Sequence, residues 1–196
     1  MSRYFWTIGT RLIILFLLLV ALLMNMKCTP SFEADNPPWS SCYSSVGEHP
    51  CDFKLIDQNG EEVSLYDHYG KVIIIDFSTM WCGPCQMAAR SVDPTIKKFG
   101  EENIAYITII IENTSGQDPD LDDLQLWGTH NNIELGPILA GSRQFIYDND
   151  WQVEGWPTFY IIDKNMVLRE SVRGYNGPQI DQRISTLVAE PSNLFN

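Results

Sequence analysis

Two long apolar stretches near the middle of the chain have the length of β-strands. Residues 72–77 and 103–111 consist mainly of valine and isoleucine, and neither stretch alternates apolar with polar positions. Strands without such alternation are typical of a sheet that helices cover on both faces. Good helix formers lie between the two stretches, so the pattern predicts two parallel strands joined by a right-handed helical crossover.

The helix predicted between these strands is interrupted. Residues 86–92 favour a helix, and the pair Asp93-Pro94 follows them. Proline breaks a helix interior but suits the first helical position, and aspartate is a good cap. We therefore expect a kink here, with Asp93 capping a second helical segment that Pro94 begins.

Shorter patterns predict the other elements. Asn59-Gly60 lies between apolar runs at 53–56 and 62–65, which indicates a β-hairpin. The elements expected after the second long strand are an acid-capped helix at 118–127, a short strand at 137–139, a turn or helix at 144–147, a strand that starts at Pro157, an antiparallel strand at 167–172 and a helix at 179–189. Together these patterns predict a mixed α/β fold.

The N-terminal residues 1–27 have the pattern of a targeting segment. Arg11 precedes an uninterrupted apolar run over residues 12–24, and the segment contains no acidic residue. A run of this length suits a signal peptide, and with its neighbours it is long enough for a membrane span. Both alternatives export the rest of the chain, and Cys28 directly after the segment resembles the lipidated cysteine of bacterial lipoproteins.

The charge and the cysteine content of the chain restrict its possible partners and disulfides. The chain of 196 residues has a formal charge of −12, and residues 28–196 carry ten basic against 25 acidic side chains. Such an acidic body argues against a nucleic-acid partner. In an oxidising compartment Cys42 and Cys51 would form a structural disulfide, although a second redox-active pair is the alternative. The Pro- and Ser-rich residues around them predict a linker over residues 28–50.

Two further cysteines, Cys82 and Cys85, stand three residues apart at the start of a predicted helix. This spacing brings two side chains onto one helical turn, close enough to form a disulfide. The free amide groups at a helix N-terminus favour a thiolate, and we expect Cys82 to be the more exposed and nucleophilic sulfur. A zinc site would need a second ligand pair, but the sequence has no second CxxC and its three histidines are scattered.

The segment Trp81-Cys82-Gly83-Pro84-Cys85 after an apolar strand resembles the thioredoxin superfamily. The N-terminal hairpin and the extra residues at 113–150 resemble its TlpA/ResA-like branch of exported, membrane-anchored thiol–disulfide oxidoreductases. The resemblance implies a thioredoxin fold over residues 51–190, in which helices flank a central mixed sheet, with a hairpin extension and an insertion before a cis-proline strand. Residues 191–196 would form a tail.

The resemblance also implies roles for individual residues. Cys82 and Cys85 would cycle between dithiol and disulfide without another cofactor or a metal. Asp76 would be a buried acid that handles a proton, since burial among isoleucines should raise its pKa. The residues expected to contact substrate are Trp81, Gly83, Pro84, Trp156, Pro157 and Thr158, with a cis bond before Pro157, and Gly174 resembles the small residue beside the site.

The expected partners are disulfide-containing protein substrates, an upstream thiol donor and, through the N-terminal segment, a membrane outside the cytoplasm. Relatives of this branch often serve cytochrome c maturation, and Gly83-Pro84 resembles reducing thioredoxins. Two other functions remain open. Thr79 three residues before Cys82 matches part of a peroxiredoxin motif, although the proline expected four residues earlier is Ile75. A metal-carrying binding module on the same fold is the second alternative.

Overall fold

The computed structural model of the protein describes residue 37 and residues 39–192. The strands within this range are β1 (Lys54–Ile56), β2 (Glu62–Ser64), β3 (Val72–Thr79), β4 (Ile104–Glu112), β5 (Ile138–Ala140), β6 (Thr158–Ile162) and β7 (Leu168–Arg173). The helices are α1 (Gly83–Ala89), α2 (Val92–Phe99), α3 (Leu121–Asn131), α4 (Arg143–Asp148) and α5 (Gly177–Ala189), with a 3₁₀ turn at Leu65–His68.

Five of these strands form a mixed sheet in the order β5-β4-β3-β6-β7. β3 pairs in parallel with β4, and β4 pairs in parallel with β5, as expected for strands joined by helices. β6 pairs antiparallel with both β3 and β7. The predicted thioredoxin fold is thus confirmed, and β3 occupies the centre of the sheet.

The central strands are covered on both faces, as their unbroken apolar pattern predicts. Every residue of β3 and β4 is buried. On one face Ile74 packs into a core cluster with residues of α1, α2 and α5. On the other face Phe77 lies against an aromatic group formed by Phe145, Trp151 and Tyr160. Because side chains alternate along a strand, Asp76 projects from the same face as Ile74.

The N-terminal hairpin is confirmed, with β1 antiparallel to β2. Its turn is stabilised by Asp57, whose carboxylate accepts hydrogen bonds from the backbone of Asn59 and Glu61. Asp57 also forms an isolated bridge with Leu139 of β5. The hairpin therefore contacts the edge of the central sheet rather than standing alone.

The helix break falls earlier than the sequence predicts. α1 ends before Ser91, and Ser91 rather than Asp93 occupies the cap position of α2. Pro94 fits inside the first turn of α2 because backbone N–H groups there need no helical partner. Asp93 instead accepts hydrogen bonds from the backbone of Glu134 and Leu135, at 3.0 and 3.2 Å. Its carboxylate thus anchors the loop after α3.

From residue 39 to residue 50 the predicted linker contains no helix or strand, as its composition suggests, but it packs against the rest of the domain. The Trp39 ring stacks on His49 with 4.2 Å between ring centroids. Gly47 N–H donates to Leu168 O, and Leu168 N–H donates to Glu48 O, at 2.7 and 2.9 Å. A Pro- and Ser-rich composition excludes regular elements but does not prevent a segment from packing through backbone hydrogen bonds.

The predicted signal or anchor segment 1–27, Cys28 and all but the first two residues of the tail lie outside the described residues. Within residues 39–192, every helix is too short or too polar to span a bilayer.

Candidate active site

The two cysteines of the motif lie in the first turn of α1. Cys82 is the N-cap of this helix, and its sulfur accepts a hydrogen bond from the backbone N–H of Cys85 at 3.2 Å. The two residues are joined in a disulfide, with 5.2 Å between their Cα atoms. Gly83 and Pro84 between them are exposed, and proline suits this first turn because it lacks an N–H. The motif is therefore a disulfide presented at a helix end.

Cys82 retains only a small exposed fraction in the disulfide form. The residue is only 6% exposed, because its side chain turns over the helix end and is bonded to Cys85. Cys82 is thus the more exposed of the two cysteines, as expected, although most of it is covered in this oxidised form. Cys85 is fully buried. Of the two sulfurs, an incoming thiol therefore reaches Cys82 first.

A fully buried carboxylic acid, Asp76, lies in β3 six residues before the motif. Burial raises the pKa of Asp76 to about 7, and a hydrogen bond from the Ser78 hydroxyl partly opposes this rise. The Ser78 oxygen is 2.7 Å from Oδ1 of Asp76. Phe159, the register partner of Asp76, belongs to the same core cluster as Cys85. Near neutral pH this carboxyl group can both hold and release a proton.

The cis-proline loop lies at the same end of the sheet as the cysteines. Antiparallel pairing of Phe77 with Thr158 places the start of β6 beside the end of β3. The Trp156–Pro157 bond is cis, as predicted, and Pro157 O accepts a hydrogen bond from the backbone N–H of Gly174 at 2.8 Å. Trp156 is half-buried and Pro157 is buried. The loop is thus tied to the end of β7.

Thr158 differs from its predicted role as a substrate contact. Its side chain is buried, and its hydroxyl donates to Gly155 O at 2.7 Å. Because this bond closes within the loop, the hydroxyl supports the cis-proline turn instead of facing a partner.

Two residues that the sequence analysis does not identify join the rim of the site. Glu112, at the end of β4, accepts a hydrogen bond from Trp81 Nε1 at 2.9 Å and another from Arg143 Nε. The Arg143 guanidinium lies over the Trp156 ring, 5.7 Å from its centroid. Hydrogen bonding from Arg143, assisted by Trp81, holds the pKa of Glu112 below its ordinary value against the effect of burial.

One signal in the sequence could have indicated Glu112. Glu112 is the last residue of a buried strand that runs parallel to β3, and the carboxyl ends of parallel strands meet at one edge of a sheet. Arg143 gave no such signal, because it lies in the insertion and its contact with Glu112 depends on the tertiary fold.

The Cys42–Cys51 disulfide is formed as well, with 4.8 Å between the Cα atoms. Its segment pairs with Leu168, which is the register partner of Ile162 at the far end of β6. The active-site end of β6 begins at Thr158, so the two disulfides belong to opposite ends of the sheet. Across residues 39–192, no group of three or more histidine, cysteine or acidic side chains is arranged to hold a metal ion.

A disulfide at a helix end, with one partly exposed cysteine and a buried acid of pKa about 7 in the strand that leads to it, is suited to exchange with other thiols and disulfides. Set at the end of this mixed sheet beside a cis-proline, it places the protein among the thioredoxin-fold thiol–disulfide oxidoreductases. The chain belongs to the AhpC/TSA family, whose profile matches residues 46–171.

Individual relatives agree with this class. Thioredoxin-like protein YneN of Bacillus subtilis (strain 168) is 26% identical over 124 residues, which cover 63% of this chain and 69% of YneN. Thiol-disulfide oxidoreductase ResA of Bacillus thuringiensis (strain Al Hakam) is 25% identical over 130 residues, covering 66% of this chain and 70% of ResA.

Solved structures with the same fold are less similar in sequence. A thioredoxin-family thiol:disulfide interchange protein from Chlorobium tepidum TLS superposes with a TM-score of 0.61 at 17% identity, over 77% of this chain and all of that protein. The exposed lipoprotein thioredoxin Etrx1 of Streptococcus pneumoniae strain TIGR4 gives 0.58 at 23% identity, over 69% of this chain and 99% of Etrx1.

Proposed function

We propose that this oxidoreductase reduces disulfides of exported proteins through a dithiol–disulfide cycle of Cys82 and Cys85. The observation that carries this proposal is the disulfide at the start of α1, of which only Cys82 has an exposed fraction. This asymmetry assigns different roles to the two sulfurs. Cys82 is the attacking group and Cys85 is the resolving group.

In the first step the Cys82 thiolate attacks one sulfur of the substrate disulfide. The substrate S–S bond breaks, a mixed disulfide with Cys82 forms, and the departing sulfur leaves as a thiolate that takes a proton from solvent. The N–H of Cys85, which is 3.2 Å from the Cys82 sulfur in the oxidised form, stabilises negative charge there.

In the second step Cys85 loses its proton and attacks the Cys82 sulfur. The mixed disulfide breaks, Cys82–Cys85 re-forms, and the substrate has gained two electrons and two protons. Asp76 is the proposed acceptor of the Cys85 proton, and it must be ionised to act. Because its pKa is about 7, this step should accelerate as the pH rises through 7. An upstream dithiol donor then reduces Cys82–Cys85 again.

The proposed direction is net reduction, because Gly83-Pro84 between the cysteines resembles reducing thioredoxins. A direct comparison tests it. The purified protein with dithiothreitol should reduce insulin, and its oxidised form should introduce few disulfides into reduced, unfolded ribonuclease. Fast oxidation of ribonuclease with slow insulin reduction would reverse the assignment.

The most informative test traps the intermediate. Cys85→Ser removes the resolving thiol, so substrates should accumulate as mixed disulfides with Cys82 in the extracytoplasmic fraction of a producing cell. Non-reducing gels followed by mass spectrometry would identify them. The double variant Cys82→Ser/Cys85→Ser is the matched control and should trap nothing. If both variants trapped the same proteins, or neither trapped any, the proposed cycle would be rejected.

We further propose that residues 1–27 tether the domain to a membrane outside the cytoplasm, directly or through a lipid on Cys28. The apolar run after Arg11 supports this placement. Fractionation with and without residues 1–27 tests the tether, and Cys28→Ala separates the two forms. Release of the Cys28→Ala protein from the membrane would identify lipid attachment. Membrane retention would identify the apolar segment, and recovery of the full chain in the cytoplasm would contradict both.

Peroxide reduction is the second candidate, because Thr79 stands three residues before Cys82 and is buried at the end of β3. In a peroxidase the Cys82 thiolate would be oxidised to a sulfenic acid, and an external thiol would complete the cycle. Sustained peroxide turnover by Cys85→Ser with added thiol would favour this candidate. Absence of peroxide turnover in both the wild type and Cys85→Ser would leave thiol–disulfide exchange as the function.

A further inference from the structure

We propose that Arg143 determines substrate specificity by binding an acidic side chain next to the disulfide of the substrate protein. The inference deepens the proposed function and depends on it, since it concerns the partner of the same site. Two observations support the inference. Arg143 is held at the rim of the site by specific contacts, and part of its guanidinium group is exposed beside them.

The backbone before α4 explains how an insertion residue reaches the rim. Gly141 passes so close to β4 that a Cβ atom there would lie 2.5 Å from a side-chain carbon of Ile109 and 2.7 Å from one of Ile111. Ser142 then caps α4 by accepting a hydrogen bond from the backbone N–H of Phe145 at 2.9 Å. The chain therefore places Arg143, the first residue of α4, over the end of β4.

Two contacts then fix the guanidinium. Its Nε–H donates to Glu112, whose side chain is only 10% exposed, and its plane lies near the Trp156 ring. A guanidinium beside an aromatic face gains a cation–π attraction, and a hydrogen bond between ionised groups is stronger than a neutral one. Glu112 also binds Trp81, so a chain of contacts through Glu112 and Arg143 links Trp81 of the motif to the Trp156 ring of the cis-proline loop.

The rest of the group is available to a partner. The Arg143 side chain is 67% exposed, and within residues 39–192 its ion pair and hydrogen bond with Glu112 are made through Nε, while its two terminal nitrogens form no hydrogen bond. These two nitrogens have only N–H donors, so they do not bind a cation or a group that can only donate hydrogen bonds. Their planar arrangement matches the two oxygens of a carboxylate.

The surrounding charge makes such a contact selective. The protein as a whole is acidic, with a formal charge of −12, and this field disfavours acidic partners that approach elsewhere. The Arg143 guanidinium, which is bound to Glu112 and lies over the Trp156 ring, therefore favours an acidic residue where the substrate disulfide meets Cys82. We expect a substrate segment with Asp or Glu within a few residues of its cysteine.

Three disulfide peptides that differ at one position test the inference. Glu, Gln or Lys would stand beside the target cysteine, and kcat/KM for reduction would be measured with dithiothreitol as the donor. The full-length protein should prefer the Glu peptide to the Gln peptide by about fivefold at low salt, and the Lys peptide should be slowest. Raising the salt concentration should shrink the preference, because the arginine is exposed.

Arg143→Gln should abolish the preference, bringing the three peptides within about twofold of one another. The matched control is Lys98→Gln, which makes the same charge change near the end of α2. α2 leads back to the start of β4, so Lys98 lies at the opposite end of the sheet from the cysteines. Lys98→Gln should keep the wild-type preference.

Two results would overturn the proposal. One is equal reduction of the Glu and Gln peptides by the wild-type protein. The other is an Arg143→Gln variant that reduces all three peptides more slowly by one common factor, which would show that Arg143 only positions the tryptophans. Failure of the wild-type protein to reduce even the Gln peptide would instead reject the underlying reductase function.

Discussion

The molecule contains two disulfides that are alike as bonds and different in their surroundings. Cys42–Cys51 closes a short loop in an irregular segment that pairs with the start of β7. Cys82–Cys85 spans the first turn of a helix, with Asp76 in the core behind it and a cis-proline loop at the same end of the sheet. The formation of the bond alone therefore does not distinguish the two disulfides, whereas their surroundings do.

The difference lies in what each environment offers to a reduced sulfur. At Cys82 a backbone N–H points at the sulfur, and a helix end stabilises a thiolate. The Cys42–Cys51 segment has no helix at either cysteine. The surroundings therefore predict rapid exchange at one disulfide and resistance at the other, and four experiments test this contrast.

The largest effect is expected from Cys82→Ser. Without the attacking sulfur no mixed disulfide can form, so insulin reduction should fall by at least about a thousandfold, to the rate of dithiothreitol alone. The matched variant is Cys42→Ser/Cys51→Ser, which should keep activity within about twofold. If the two variants lost activity equally, Cys42 and Cys51 would be part of an electron relay and the contrast between the disulfides would fail.

Asp76→Asn should produce the next largest effect, by removing the proposed proton acceptor of the Cys82–Cys85 disulfide. We expect the resolving step to slow by about tenfold to a hundredfold near pH 7, since general-base catalysis commonly contributes about 10²-fold or more. Rapid-quench measurement separates the steps, and formation of the mixed disulfide serves as the internal control because it needs no base. Equal slowing of both steps would contradict the assigned role.

The same variant should raise stability in a pH-dependent way. The folded protein holds the Asp76 proton up to a pKa of about 7, whereas the unfolded chain releases it near 3.8. The free energy of unfolding of the wild type therefore decreases as the pH rises from 4 to 7, by up to about 4 kcal/mol. Asp76→Asn should be more stable than wild type at pH 8 and similar at pH 3.5. Urea titrations of both proteins at pH 8 and pH 3.5 would measure this difference in stability. A difference that is the same at both pH values would contradict the prediction.

Asp76 also shows how far the sequence predicts this molecule. The burial of Asp76 was predictable because this residue lies within an isoleucine-rich run. Such a run specifies a strand that is covered on both faces, whatever elements pack on it. The same reasoning predicted β3, β4 and the hairpin. The cis bond before Pro157 came from resemblance, since X–Pro bonds are cis in only about 5–6% of cases.

Contacts between elements that are far apart in the sequence were not predicted, and the reason is physical. Arg143 meets Glu112 only because a glycine lets the insertion pass close to β4, and no periodic pattern encodes that approach. The packing of residues 39–50 against the domain was not predicted, because it relies on backbone pairing with Leu168 and on one ring stack. Neither kind of contact produces a periodic pattern of apolar residues in the sequence.

That packed segment is the subject of the third experiment, the stability of Cys42→Ser/Cys51→Ser. The disulfide closes a loop with a sequence separation of nine residues, and the chain-entropy model assigns such a loop about 2.5–3 kcal/mol. We expect the free energy of unfolding to fall by about that amount in urea titrations of oxidised protein. Unchanged stability would show that the bond is not structural.

The smallest effect is expected from Ser78→Ala, which removes the hydroxyl that donates to Asp76 at 2.7 Å. This hydrogen bond favours the ionised carboxylate, so its loss should raise the pKa of Asp76 further, by about one unit or less. The pH at which the resolving step reaches half its maximal rate should move in the alkaline direction, while the maximal rate at high pH should remain. Infrared titration of the carboxyl band measures the same shift without turnover.

Thr108→Val is the matched control for Ser78→Ala. Thr108 is the register partner of Asp76 on β4, and its buried hydroxyl has no hydrogen-bond partner among residues 39–192. Removing a hydroxyl that does not bind the carboxylate should leave the pH profile in place, even though the substitution lies equally close along the sheet. An equal shift in both variants would mean that general polarity sets the proton affinity of Asp76. A shift in Ser78→Ala alone would show that one hydrogen bond adjusts the proton affinity of the buried acid in the strand that leads to the Cys82–Cys85 disulfide.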